Sequence, residues 1–518
     1  MEKLEVSLTE NGAAEEVPGS NLILNIGNKL GVLDIGWKYK EGEENECLDF
    51  NAKKADFLLV SHGHMDHGGK ILQARTEGLD CPIYCTAITA DILTKIQMPQ
   101  QACNYWMNVK IAGDLAKKGI TIPVKKVPWT YQDFKYIRDN LIQSFYEPDS
   151  EGRRQLGYPY ETPIKIMDEK DTKITSTAYE AGHIPGSEQS YLEIIHKGKK
   201  YKILNSCDLG RTDYFIPGHP AANTPIVKKP HTDFPKDTDI MVIESTYGNK
   251  VHSPLEESIR VLERTINDAS KRKGKLIIPA FSIMRTHMLV YFIHDLDKKR
   301  RLPDNMYFYL TSPGADKLGR IMFKHLGDLD KETLDQYIDE KDNFYYFDRM
   351  IHHNKVQKTK DLLALRNSRN PYGIIASSGM CEGGRIERIL RQELPDPRNI
   401  VLLTGFQAPG TRGYLLDKGE TKIPFFDKVI TRRAEVRRMK GLSGHADIEE
   451  LVAHVKNIYN PLKDKRNKPF KIFIKHGEKE SCWAVRNRLI KEGYNSKDVL
   501  VMKKGLTYDL TYLGEKIS

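Results

Sequence analysis

The chain has 518 residues, 39% of them hydrophobic and 29% charged, which suits two to four domains with sizeable cores. No apolar run approaches the ~18 residues that span a bilayer, and the N-terminal Met-Glu-Lys-Leu-Glu-Val-Ser lacks the pattern of a signal peptide. Seven cysteines (Cys47, Cys81, Cys85, Cys103, Cys207, Cys381, Cys482) form an odd, scattered set without a CxxC pair, and 80 Lys+Arg against 70 Asp+Glu give a formal charge of +10. These features argue against a membrane partner, a disulfide framework and a Cys-based zinc site, point to a reducing cytoplasmic compartment, and leave a polyanionic partner open.

Residues 5–36 read as strands with tight turns, ending in Leu30-Gly-Val-Leu-Asp-Ile-Gly36. Asp34, at the close of an apolar strand, is either a turn former or a carboxylate that orients a metal-binding histidine from behind. The strand-type run Ala55–Val60 leads into Ser61-His-Gly-His-Met-Asp-His-Gly-Gly69. His62, His64, Asp66 and His67 thus crowd one turn, and imidazole and carboxylate are ligands that zinc accepts. Helix is expected over 70–76 and 87–97, with a strand over 81–86. The stretch from about 100 to 165 is less regular and carries Trp106, Trp129 and several tyrosines. There Thr130-Tyr-Gln-Asp133 has the form of a capping box, and 147–159, with Arg153-Arg154, reads as an exposed loop. Strands are expected at 174–179, 189–195 and 200–204. His183 and Asp208 each fall where a strand gives way to a loop, and they fit the ligands missing from the turn.

Residues 212–238 are rich in Pro, Asn, Thr and Lys and read as a linker. A second pattern of alternating strands and helices then starts at Asp239–Glu244 and runs through 256–271, 274–280, 286–298, 306–310, 374–376 and 400–403. Such alternation implies a mostly parallel sheet covered on both faces. Its loops hold Ser282 and Arg285, Ser377-Ser378-Gly379, and Gly383-Gly384-Arg385; small residues there let backbone N–H groups approach an anion, although turns use glycine anyway. Gly441-Leu-Ser-Gly-His445-Ala-Asp447 precedes a helix over 448–459. Phe470–Lys475 is a strand ending at His476-Gly-Glu478, and a helix is expected over 483–492.

The order His-x-His-x-Asp-His, distal His, distal Asp resembles the metallo-β-lactamase fold. The insertion opened by Glu244-Ser-Thr-Tyr-Gly248 and closed before Ser443-Gly-His445 resembles the β-CASP nucleases, as do Pro279–Thr286, Ala376–Met380 and His476–Glu478. The resemblance spans nearly the whole chain. It implies an α/β fold, an αββα metallo-β-lactamase sandwich with an inserted α/β β-CASP domain. Expected boundaries are 1–235 for the first part of the sandwich, 236–430 for the insertion and 431–518 for the C-terminal part. It further implies two zinc ions per chain, with manganese left open. His62, His64 and His183 would hold one ion, Asp66, His67 and His476 the other, and Asp208 would bridge them. Asp34 would support the histidine cluster, His445 would face the scissile phosphate, and Glu244 would hold His445 by a hydrogen bond. Ser282, Arg285, Ser377, Ser378, Gly379, Gly384, Arg385 and Ser443 are candidates to grip neighbouring phosphates.

The activity implied is a zinc-dependent ribonuclease that cleaves RNA phosphodiester bonds with a hydroxide activated by two metals. Asp66 would take the water's proton and His445 would protonate the leaving oxygen. RNA-acting members of the family keep a histidine at the last motif, so His476 favours RNA over DNA. A DNA nuclease and a non-catalytic scaffold subunit of an RNA-processing complex are the alternatives; scaffold relatives lose metal ligands, and here each position is filled. The wording of Thr404–Gln407 and Leu442–Asp447 is closer to the pre-mRNA 3′-end cleavage endonucleases and their prokaryotic relatives than to RNase J, with 5′-exonuclease action also compatible. The sequence has neither the extra C-terminal domain of RNase J nor the KH modules of archaeal relatives, so a stand-alone prokaryotic enzyme is expected. The resemblance is compatible with a homodimer.

Overall fold

The computed structural model describes residues 4–38, 48–102, 127–148, 154–211, 225–352, 370–425, 428–465 and 468–516. Trp106, Arg153, Cys47, Cys103 and residues 212–224 of the expected linker lie outside them. The chain forms two compact units: Met1–His219, Lys228–Val251 and Gly444–Ser518 make the first, and Pro220–Val227 with His252–Ser443 the second. No helix among the described residues is long and apolar enough to cross a membrane.

The first unit is a pair of sheets. One runs in the order Thr507–Asp509, Val6–Gly12, Asn21–Ile26, Lys29–Leu33, Phe57–Leu59, Ile83–Tyr84. The other runs Val499–Val501, Lys471–Ile474, Ile240–Ile243, Lys199–Asn205, Glu188–His196, Thr172–Glu180, Ile164–Asp168. Period-2 alternation decides which side chains meet. Leu22, Leu24 and Ile26 pack with Leu192, Ile194, Ile203, Val242 and Phe473 in the layer between the sheets. Their neighbours Ile23, Val32 and Leu58 turn outward onto Ile71, Leu72, Ala74 and Ala90 of the helices Ile71–Thr76 and Ala87–Ile92. On the opposite face, Leu204, Met241, Ile243, Ile472 and Ile474 meet Leu451 and Val455 of Ile448–Ile458, and Val485 and Leu489 of Lys479–Lys491. Each such buried aliphatic side chain contributes ~1.5–3 kcal/mol. The result is the expected αββα sandwich. The expected capping box also forms: the Thr130 hydroxyl accepts from Asp133 N–H and the Asp133 carboxylate from Thr130 N–H, opening Tyr131–Tyr136.

Both boundaries differ from expectation: the second unit takes in Pro220–Val227 and His252–Ser443, so Glu435–Arg438, expected in the C-terminal part of the sandwich, pairs with Ile400–Leu403 in the second unit. Ile240–Ile243, placed by the sequence at the start of the insertion, pairs parallel with both Lys199–Asn205 and Lys471–Ile474 in the first unit. Its unbroken apolar run reads the same as a strand of either sheet, and only the pairing partners decide.

The second unit is a parallel sheet in the order Met350–His352, Tyr307–Leu310, Tyr372–Ala376, Lys275–Pro279, Ile400–Leu403, Glu435–Arg438. The helices Leu255–Lys271, Arg285–Lys298, Pro313–Lys324 and Gly384–Glu393 belong to the same unit. Gly384 and Arg385, expected in a loop, are the first residues of Gly384–Glu393, and Gly383 before them has φ +63°.

Candidate metal centre

Strand direction gathers the site. Lys29–Leu33 and Phe57–Leu59 are parallel neighbours, as are Lys199–Asn205, Ile240–Ile243 and Lys471–Ile474. Thr172–Glu180 is antiparallel to Glu188–His196, which is antiparallel to Lys199–Asn205, so its C-terminal end lies on the same edge. Asp34, the His-rich turn, His183, Asp208, Glu244 and His476 all follow the C-terminal ends of these strands. Asp34, Cys207 and His476 have φ of +61°, +50° and +52°. Such backbone costs of order 1–3 kcal/mol per residue and gathers at functional sites.

The His-rich turn ends in a single helical turn, Met65–Gly68. Its approach to the strand ends requires Gly36: a Cβ there would lie 1.7 Å from the Asp66 carbonyl oxygen. That carbonyl accepts from Ser20 N–H at 2.8 Å.

Two ligand groups result. His64 Nδ1 lies 3.0 Å from His62 Nε2 and 3.1 Å from His183 Nε2, and both of those nitrogens are 3.6 Å from Asp208 Oδ2. His67 Nε2 lies 3.1 Å from His476 Nε2 and 3.2 Å from Asp208 Oδ2, with Asp66 Oδ2 3.7 Å from His476 Nε2. Asp208 borders both groups. Four ligands on bonds of ~2.0–2.1 Å at tetrahedral angles lie about 3.3 Å apart, so these spacings fit a cation in each group. A further sign is Asp208 Oδ1, buried without a hydrogen-bond partner among the described residues.

The electrostatics of the first group agree. Burial, with neighbouring histidines, pushes His62 and His183 well below the usual imidazole range and His64 down to about 4. Neutral imidazole is the form that binds a metal. Burial opposes charge on Asp66 and Asp208 too, but His476 and His67 outweigh it and hold both carboxyls below the usual range. Burial likewise opposes charge on His67, and there Asp208 and Asp34 win and raise it.

Asp34 sits behind the second group. Its carboxylate accepts from Ser61 N–H at 2.8 Å and Ser61 Oγ at 3.0 Å and meets His67 Nδ1 at 2.7 Å. A proton on Nδ1 leaves the Nε2 lone pair aimed at His476 and Asp208. Glu244, fully buried, accepts from Leu209 N–H at 2.8 Å and Thr246 N–H at 3.0 Å and meets His445 Nδ1 at 3.0 Å. Burial would lower His445, but Glu244, with Asp208 and Asp66, raises it to about 9.

The candidate phosphate residues lie in the second unit. Ser282 and Ser377 follow adjacent parallel strands, and their hydroxyls are 2.7 Å apart. Ser312, not singled out by the sequence reading, completes a triangle at 3.0 and 2.6 Å from them. Its sequence signal was that of a helix cap before Pro313, a role it also fills. Arg385 donates to the Thr311 carbonyl at 3.1 Å, and burial lowers its pKa. Ser378 stays outside the triangle: its hydroxyl donates to the Glu382 carbonyl at 2.6 Å. Gly379 packs under the Phe281 ring and accepts from Gln407. Arg285 opens its helix, and Ser443, the last residue of this unit, is buried. Thr246, also missed by the sequence reading, places its hydroxyl 3.0 Å from His476 Nδ1.

Comparison with known proteins accords with this geometry. The Beta-Casp domain family model matches residues 286–416, and that of the Zn-dependent metallo-hydrolase RNA specificity domain matches 429–502. Ribonuclease TTHA0252 of Thermus thermophilus is 26% identical over 489 residues, 93% of this chain and 95% of that one. Transcription termination factor FttA of Methanocaldococcus jannaschii is 26% identical over 91% of this chain and 67% of its own length. An RNase J-like protein of the same organism is 26% identical over 86% of this chain and 87% of its own. With the sandwich, the clustered histidines and carboxylates and these matches together, the chain carries a Beta-Casp domain and is similar over most of its length to β-CASP proteins of the metallo-β-lactamase fold.

Proposed function

We propose that this protein is a ribonuclease that hydrolyses RNA phosphodiester bonds with two zinc ions, one among His62, His64 and His183 and one among Asp66, His67 and His476, with Asp208 shared. The observation that carries the reading is the meeting of two ligand groups on one carboxylate beside the Glu244–His445 pair. When bound, the metals would supply Lewis acidity to the phosphate oxygens and lower the pKa of a water molecule.

The chain's own groups account for the rest. Asp66, kept ionised by His476 and His67, takes the proton from the attacking water. The water oxygen bonds to phosphorus as the bond from phosphorus to the leaving oxygen breaks. His445 is held by Glu244 through Nδ1, which leaves Nε2 to deliver a proton to that leaving oxygen. Within the second unit, the Ser282, Ser312 and Ser377 hydroxyls, with Arg385, are suited to hold a phosphate of the RNA. The filled ligand set speaks against a silent scaffold.

The test uses one RNA labelled at its 5′ end in one sample and its 3′ end in another, with a DNA copy in parallel. Paired internal fragments mean an endonuclease, and mononucleotide release from the 5′ label means 5′-exonuclease action. Cleavage of the DNA in preference to the RNA refutes the substrate assignment, and cleavage of neither refutes the enzyme. Elemental analysis of the same protein reads the metal: zinc at about two per chain is expected, and manganese in its place refutes the identity.

A further inference from the structure

Behind the ligands lies a charge pair that neither packing nor the proposed chemistry accounts for. Glu10, in the strand Val6–Gly12, is fully buried, and Lys475, directly after Lys471–Ile474, is 5% exposed. They come from different sheets and meet at 3.0 Å between Lys475 Nζ and Glu10 Oε2. Taking such a pair out of water costs several kcal/mol per ion, and an apolar pair of the same volume is commonly as stable or more so. Core stability is therefore a poor reason for it.

Its connections lead to the metal centre. Lys475 Nζ donates to Ser20 Oγ at 3.3 Å, and Ser20 Oγ donates to Asp34 Oδ2 at 3.3 Å. The same Asp34 oxygen meets His67 Nδ1 at 2.7 Å. An unbroken chain of buried polar contacts thus runs from Glu10 through Lys475, Ser20 and Asp34 to His67. A second connection runs through the backbone. Lys475 precedes His476, whose N–H donates to the Ala13 carbonyl at 2.8 Å, just beyond the strand that carries Glu10. The ion pair and this bond fasten the His476 turn, with its positive φ, to the opposite sheet. Lys475, Ser20, Asp34, His67, Asp208 and His476 all line one small cavity.

We propose that Glu10, Lys475 and Ser20 are positioning residues for the second ligand group: the buried ion pair clamps the His476 turn and, through Ser20, fixes the Asp34 carboxylate that orients His67. This rests on the metal-binding part of the function proposed above. The clamp bears directly on His67 and His476 and reaches the first group only one hydroxyl further on, where Ser61 Oγ lies 3.0 Å from both Asp34 Oδ2 and His62 Nδ1, so it predicts an effect weighted to the second group that a merely structural pair would not produce.

The experiment is a calorimetric zinc titration of the metal-stripped full-length protein, with thermal unfolding recorded on each sample. The parent should bind in two steps, and His476→Ala identifies the one belonging to the second group. Lys475→Met should weaken that step about 10–100-fold, and Ser20→Ala and Glu10→Gln about 10-fold, as loss of groups that orient ligands generally does. The other step should weaken by much less. Ser20→Ala removes one hydroxyl and Glu10→Gln preserves volume, so these two carry the test if Lys475→Met does not fold. An unchanged second step in both overturns the proposal, as does equal weakening of both steps. Because no RNA is present, the selective pattern in a protein that cleaves neither RNA nor DNA would refute the ribonuclease and leave the clamp standing.

Discussion

Glu244→Gln tests whether the buried carboxylate acts through His445. Glu244 is 1% exposed and serves three partners: Oε1 faces Leu209 N–H at 2.8 Å and His445 Nδ1 at 3.0 Å, and Oε2 faces Thr246 N–H at 3.0 Å. Glutamine has the same shape but one acceptor oxygen. With that oxygen toward Leu209 and His445, its amide nitrogen faces the Thr246 N–H donor against donor; flipped, it faces the other two. Either way at least one buried donor loses its partner, which costs ~1–3 kcal/mol of stability each, readable as a shift in denaturant midpoint. The larger effect is expected on the rate. If His445 delivers the proton to the leaving oxygen, misplacing it should lower kcat by about 10²–10⁴, with KM and metal content close to the parent's. His445→Ala should lose a similar factor. The decisive measurement is the double variant: a residue that acts only through His445 has nothing left to contribute once His445 is gone. Glu244→Gln should therefore cost almost nothing further in the His445→Ala background. The same fold-loss in both backgrounds would refute the reasoning and assign Glu244 to holding the Leu209 and Thr246 backbone instead.

Other predictions concern metal, substrate and fold. Chelation should abolish cleavage and added zinc should restore it; Asp66→Ala should be inactive with an unchanged circular dichroism spectrum, and full activity in that variant would remove Asp66 from the reaction. Ser377→Ala and Arg385→Ala should raise KM for RNA by about 10–100-fold, in keeping with ~1.5–3 kcal/mol for a hydrogen bond to a charged group, and leave metal content unchanged. A rise in neither would return these loops to a purely structural role. Glu188, buried beside Tyr158 and Ser190, is pushed by burial from 4.5 up to about 8. The folded state thus keeps a proton that the unfolded chain gives up between these values, so this stabilisation is present below about pH 4.5 and is lost as pH rises toward 8. Glu188→Gln cannot ionise, and its stability relative to the parent should improve between pH 5 and pH 8 by about 1.4 kcal/mol per pH unit; denaturant midpoints that keep a constant separation across this range would count against it.

The clustering of the candidate ligand residues was legible because each carries its signal locally. His62, His64, Asp66 and His67 crowd one turn, and His183, Asp208 and His476 each stand at the boundary between an apolar strand and a loop. All seven follow C-terminal strand ends, brought to one edge within each sheet by parallel pairing and, for His183, by two successive antiparallel pairings. Thr130 and Asp133 were legible for the same reason, since a capping box closes within four residues. What failed to show depended on partners distant in sequence. Ile240–Ile243 could join either sheet until its neighbours were known. Ser312 was not singled out, and its hydroxyl meets Ser282 and Ser377 only because three adjacent parallel strands end together.

Glu10, Ser20 and Lys475 mark the same limit more sharply. In sequence Glu10 is one charged residue in an alternating strand, which is normally a solvated position, and Lys475 is an ordinary end to an apolar run. Their charges become consequential only because the two sheets bury them against each other across 465 residues of chain. A ligand needs only a side chain of the right chemistry at a strand end, so local sequence can reveal it. The groups that aim a ligand need a particular neighbour, and that neighbour is supplied by the fold. Removing a ligand such as His476 should therefore eliminate its binding step outright, while removing a clamp residue should leave the step present and weakened. The contrast between a lost step and a weakened one separates the groups that bind from the groups that aim.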